Sequence, residues 1–144
     1  MITQDIQTLR QVSEPFQGTD EELKALFECL EFELMTANRR GVGLSAIQIN
    51  IPSRVCIVRG STQYNLYNAE ITSRQQRYVF RFEGCLSIPN VTEATQRYNL
   101  IEVKNGNGEK FKVSGFDAVV IQHELDHWDG VVFTDRKALN DKGA

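Results

Sequence analysis

Residues 122–130 read QHELDHWDG, and the arrangement of the rest of the chain follows from this stretch. Two histidines four apart share one face of a helix, so both imidazoles can reach one cation, with Glu124 near its water. The surrounding segment FDAVVIQHELDHWD, residues 116–129, is apolar around much of a helix circumference. Ser114 or Asp117 is available as its N-cap and Gly130 as its stop. A helix that is apolar on most sides is buried, so other elements must surround it. His123 and His127 are the only two histidines in the chain, which argues for a site over a chance match.

Upstream, TDEELKALFECLEFELMTANRR, residues 19–40, places Leu23, Leu26, Phe27, Leu30, Leu34 and Ala37 on one apolar stripe. Thr19 and Glu22 fit a capping box, and Arg39, Arg40 and Gly41 favour a helix C-terminus. Cys29 lies off the stripe and is expected to be partly buried. RVCIVR, residues 54–59, has the β-branched content of a strand with Cys56 in its core. QYNLYNAEI (63–71) and QRYVFRFE (76–83) alternate polar with apolar residues, as strands with one wet face do. NLIEVKNGNGEKFKV, residues 99–113, reads as a hairpin about its Asn-Gly pairs. The fold class these segments predict is α+β: antiparallel sheets wrapped around a central metal-bearing HExxH helix, preceded by an N-terminal amphipathic helix.

A chain of 144 residues suits one domain, expected to span residues 1–144. Its net charge of −3 and scattered arginines give no electrostatic footprint for nucleic acid; Arg74, Arg77 and Arg81 are expected on solvated strand or loop positions. No apolar run is long enough to span a bilayer, and MITQDIQTLR lacks the plan of a signal peptide, so a cytoplasmic location is expected. Three cysteines, Cys29, Cys56 and Cys85, make an odd number, which argues against a disulfide framework and leaves a thiolate available.

A catalytic site of the zinc type takes three protein ligands and keeps one position open. In the HExxHxxGxxH pattern the third is a histidine; Gly130 matches, but Phe133 occupies the ligand position. Residues 125–144 contain no glutamate either, so the familiar metalloprotease solutions are absent. Cys85 stands in EGCLSIP, residues 83–89, where a strand is expected to pass through glycine into a loop closed by Pro89. That context suits a fixed thiolate, and Cys85, His123 and His127 are the assigned ligands. Two imidazoles and a thiolate suit zinc but equally iron, nickel or cobalt.

GVGLSAIQ (41–48), EGCLS (83–87) and QHELDH (122–127) together resemble the three signature motifs of the peptide deformylase family, in the family's order, within a likeness running from about residue 9 to about 137. The resemblance implies removal of the N-terminal formyl group from formyl-methionyl nascent peptides, with release of formate. Water on a bound divalent ion, Fe²⁺ in the cell with Zn²⁺, Ni²⁺ or Co²⁺ able to replace it, would attack the formyl carbon. Glu124 would take that proton and pass it to the leaving amine. The Gln48 amide and the Leu86 backbone N–H are implied as oxyanion donors. Extended substrate would lie beside the backbone of Gly41, Val42, Gly43 and Leu44, with Val42, Phe116, Val119 and Val120 forming the methionine pocket.

The chain departs from the family pattern at several positions. Ser45 stands where alanine is usual, and a buried hydroxyl there must find a hydrogen-bond partner. Asn50 replaces a common glycine, and Ala69 a frequent proline. Seventeen residues follow His127, so a compact form without the long C-terminal helix is expected, and ribosome docking through that helix is not. Glu83 and Arg97 receive no role. Two other readings use the same residues: an amide hydrolase or metallopeptidase acting on another substrate, and a structural metal module closed by a fourth ligand such as Asp126.

Overall fold

A computed structural model describes residues 1–37 and 41–138. Its strands form two three-stranded antiparallel sheets. The first, in spatial order, is β1 (Gly43–Ser45), β2 (Val55–Arg59) and β3 (Gln63–Tyr67). The second is β4 (Glu70–Cys85), β5 (Ile88–Lys104) and β6 (Lys110–Ser114). Helix α1 (Ile6–Leu9) is one turn long, α2 (Asp20–Thr36) packs on the first sheet, and α3 (Gly115–Trp128) lies between the sheets.

Strand β2 shows how a short apolar run joins two cores. Successive side chains of a strand point to opposite faces. Val55 and Ile57 pack with Leu30 and Leu34 of α2, while Cys56 and Val58 pack with Ala118, Val120 and Ile121 of α3. The second sheet closes the other side of α3 through Ile101, Val103 and Val113. Each such side chain contributes roughly 1.5–3 kcal/mol on full burial. Ten of the fourteen residues of α3 are buried, as its sequence predicts.

Helix α2 carries the expected capping box: Thr19 Oγ1 accepts from the Glu22 N–H at 3.1 Å, and Glu22 Oε1 accepts from the Thr19 N–H at 3.0 Å. It ends at Thr36, with Ala37 already extended; Arg39 and Arg40 lie outside the described residues. Cys29 is exposed, because it sits on the face turned from β2. At the start of α3, Ser114 is the N-cap by position but makes no side-chain capping bond. Asp117 instead accepts the Ser61 N–H at 3.1 Å and the Tyr64 hydroxyl at 3.3 Å, pinning α3 to the β2–β3 hairpin.

The strands extend further than their patterning suggests. The 63–71 run breaks where Asn68 turns to φ 47°, so β3 ends at Tyr67 and Glu70 begins a sixteen-residue β4. EGCLSIP holds only a two-residue turn in place of the expected longer loop: Cys85 ends β4 and pairs with Ile88 across Leu86 and Ser87, and Pro89 lies inside β5 rather than closing the turn. The register shifts there, between the Glu83–Glu93 and Cys85–Ile88 pairs, so the missing Pro89 N–H costs no ladder bond. The NGNG connection spans Asn105 to Glu109, and the Asn105 side chain ties it to β3, accepting from the Tyr67 N–H and donating to the Asn65 carbonyl, both at 3.0 Å. Arg74, Arg77 and Arg81 are exposed on β4. Among the described residues no helix is long and apolar enough to cross a membrane.

Candidate functional site

Cys85 stands at the end of β4, and His123 and His127 lie one turn apart on α3. Their ligating atoms all lie within 4.8 Å of one another, and Cys85 Sγ is 3.6 Å from His127 Nε2. Glu83 fixes the role of each His123 nitrogen. Its Oε2 lies 2.6 Å from His123 Nδ1, and an ionised carboxylate only accepts, so Nδ1 carries the proton and Nε2 keeps its lone pair for a cation. Burial alone would raise the Glu83 carboxyl, but the bonds from His123 and Arg97 outweigh it and lower it to about 2.

Further buried groups hold Glu83 itself. Thr95 Oγ1 donates to its Oε1 at 2.7 Å, and Arg97 bonds both oxygens, at 2.9 and 2.6 Å. Arg97 also reaches Asp126 at 2.7 Å, and Arg136 binds Asp126 at 3.0 Å from outside. Removing one partner from a buried pair of this kind costs ~3–5 kcal/mol, because the other charge is left uncompensated.

Two observations test whether these residues fit a metal ion. The donor set, one thiolate and two imidazoles with a carboxylate behind one of them, is that of a divalent transition metal. Burial also lowers His127 well below the usual value, so its imidazole is neutral and offers a lone pair beside the Cys85 sulfur. The residues fit.

The site opens into a cavity of about 440 Å³. Val42, Phe116, Val119 and Val120 line it, as do Gly43, Gln48, Leu86 and Glu124. Leu44 does not: its side chain is fully buried in the α2 core, which leaves only its main chain along β1. Strand β1 borders only β2 in its sheet, so its other edge is not taken by a strand of this sheet. Gln48 is 1% exposed; its Oε1 accepts the Ser45 N–H at 2.9 Å, which turns Nε2 toward Cys85 Sγ at 3.6 Å and Ser87 Oγ at 3.1 Å. Burial pushes the Glu124 carboxyl up to about 7. A side chain at position 43 would press on it, since an added Cβ there would lie 2.6 Å from Glu124 Oε2.

A family model described as polypeptide deformylase matches residues 1–143. The chain belongs to this family. It is 41% identical over 133 residues to a peptide deformylase of Heliobacterium modesticaldum, covering 89% of this chain and 86% of that one. A peptide deformylase of Acetivibrio thermocellus is 38% identical, with 89% and 76% covered. Among solved structures, the peptide deformylase of Thermotoga maritima superposes with a TM-score of 0.81 at 33% identity, covering 91% of both chains. A probable peptide deformylase from Synechococcus phage S-SSM7 gives 0.82 at 32%, covering 94% of this chain and 98% of that one. As a member of the deformylase family the chain is a metal-dependent hydrolase with an α+β fold.

The fold brings Cys85, His123 and His127 together, and Cys85 and His123 line one cavity with Glu124, Gln48 and Leu86. Sequence reasoning left Glu83, Arg97 and Ser45 without a function. Glu83 stands two residues before Cys85, so on one side of a strand it shares that cysteine's direction; that spacing was the available signal.

Proposed function

We propose that the chain removes the formyl group of formyl-methionyl nascent peptides in the cytoplasm through Glu124, Gln48 and Leu86, beside a divalent ion held by Cys85, His123 and His127. The observation that carries this reading is the convergence of that candidate ligand set with a buried carboxylate and a buried amide that line the same apolar-walled cavity. Cys85, His123 and His127 would hold a divalent ion, Fe²⁺ in the cell, which would supply Lewis acidity there.

The protein's own groups do the rest. An extended peptide adds to the edge of β1, and glycine at 43 lets its main chain approach. Its methionine side chain enters the space walled by Val42, Phe116, Val119 and Val120. Gln48 Nε2 and the Leu86 N–H donate to the oxygen that gains charge as the formyl carbon becomes tetrahedral. A carboxyl near 7 serves as base and then acid at neutral pH: Glu124 takes the proton of the attacking water and delivers it to the amine as the C–N bond breaks, freeing formate.

The test is formate release from formyl-Met-Ala by the iron-loaded chain, beside Glu124→Ala and an acetyl-Met-Ala control. The expected result is formate from the formyl peptide alone, lowered about 10²–10⁴-fold in the variant with metal retained. Equal turnover of the acetyl peptide, or full activity in Glu124→Ala, would overturn the reading. A ferrous protein no faster than the zinc form would remove the iron assignment only.

A further inference from the structure

Ser45 is fully buried on the edge strand β1, and its side chain ends on Glu124. Its Oγ lies 2.8 Å from the Glu124 main-chain oxygen and 3.0 Å from Glu124 Oε1. Its N–H, from the same residue, donates to Gln48 Oε1 at 2.9 Å. One residue therefore touches both groups given the proton-transfer and oxyanion roles, from a position 79 residues from Glu124 in the chain. An alanine at 45 would keep the main-chain contact to Gln48 and lose the one to Glu124.

The two carboxylate oxygens of Glu124 differ in their surroundings. Oε1 is next to the Ser45 hydroxyl, whereas Oε2 rests over Gly43, which lines the cavity. A carboxylate with neither oxygen held rotates about its last bond, whose rotational preference is broad, and presents either oxygen at varying angles. Tying Oε1 fixes where Oε2 points. The hydroxyl has one proton and two acceptors within reach, so it can serve the carboxylate or the helix carbonyl at a given moment. When Glu124 is ionised, the carboxylate is the stronger acceptor.

We propose that Ser45 is a positioning residue for deformylation: its hydroxyl anchors Glu124 Oε1 so that Oε2 is presented to the cavity for proton transfer. This rests on Glu124 being the base. It assigns this chain a device that the alanine more usual at this position cannot supply. The hydroxyl acts on the step after substrate is bound, so its loss falls on kcat and leaves KM in place.

The experiment uses the full metal-loaded chain with formyl-Met-Ala, comparing Ser45→Ala, Ser45→Thr, Glu124→Ala and the Ser45→Ala/Glu124→Ala double variant. Ser45→Ala is expected to lower kcat about tenfold, the scale of one hydrogen bond to a charged group, with KM and metal content unchanged. Ser45→Thr, which keeps a hydroxyl, is expected to restore most of it. Urea midpoints give a readout independent of turnover: the shift caused by Ser45→Ala should shrink when Glu124 is already alanine, because the carboxylate partner is gone. An unchanged kcat in Ser45→Ala, or the same midpoint shift in both backgrounds, would show that the hydroxyl only braces the helix carbonyl, and would overturn the proposal. Wild-type kcat in Glu124→Ala would instead remove the base assignment on which it rests.

Discussion

Helices α2 and α3 have seventeen and fourteen residues, and they bury different things. In α2 only Leu30 and Leu34 are fully covered, both apolar, and the helix presses one stripe onto β1 and β2. In α3 the buried set includes Gln122, His123, Glu124 and His127 among its aliphatic residues. Nearly every polar group of that set is met from outside the helix: Gln122 accepts the Tyr98 N–H at 2.9 Å, His123 meets Glu83, and Glu124 meets Ser45. A stripe of leucine needs only a surface of the right shape, but a buried imidazole needs one named partner at one distance. The first kind of burial makes a fold, and the second makes a fold that holds a reactive site.

That contrast can be broken most severely at the ligands. His127→Ala should leave the chain unable to retain a stoichiometric metal ion after dialysis, with deformylation falling to the level seen after chelation; metal analysis and formate release measure both. Next comes Glu83→Gln, which keeps the shape but removes the charge behind His123. It is expected to weaken metal affinity about 10–100-fold, read by competition with a chromogenic chelator. An unchanged affinity would mean that α3 does not depend on its outside partners.

Leu30→Ala probes the other helix. It should destabilise the protein by about 2–5 kcal/mol in urea unfolding while leaving kcat and metal content alone where the protein is folded. A fall in kcat would erase the distinction between the two helices. Smaller still, Thr19→Ala removes one half of the capping box and should cost about 1 kcal/mol with no effect on turnover. The smallest effect concerns acid. The bond from Arg10 holds Asp135 below the ordinary carboxylate range. Its stabilisation is therefore present above that range and is lost as pH falls through the depressed value. The pair is partly exposed, so the wild-type chain should lose only slightly more stability than Asp135→Asn when urea midpoints are compared at about pH 5 and pH 3.

Both helices are legible in the sequence because their signals are local. A 3.6-residue apolar period, Thr19 with Glu22, and Gly130 after the last turn lie within each element's own span. The candidate ligands are legible through scarcity: two histidines in the chain, and one cysteine at a strand end. The long β4–β5 ladder is less so, since its polar faces and three register shifts blur the alternation that marks a strand. Least legible are Glu83 and Ser45. Their partners lie 40 and 79 residues away, and a polar residue whose purpose is a distant contact looks locally like any other polar residue.

The 3.6 Å approach of Cys85 to His127 joins two points 42 residues apart in the chain. An ion held between them is a cross-link as well as a reagent: it is bound by the folded chain and released by the unfolded one. By mass action, free metal at about a hundred times its dissociation constant adds about 2.7 kcal/mol to the stability of the fold. With an ion so held, the melting temperature would rise with metal supply. Where the ion is scarce, the chain would then lose part of its resistance to unfolding and proteolysis together with its activity.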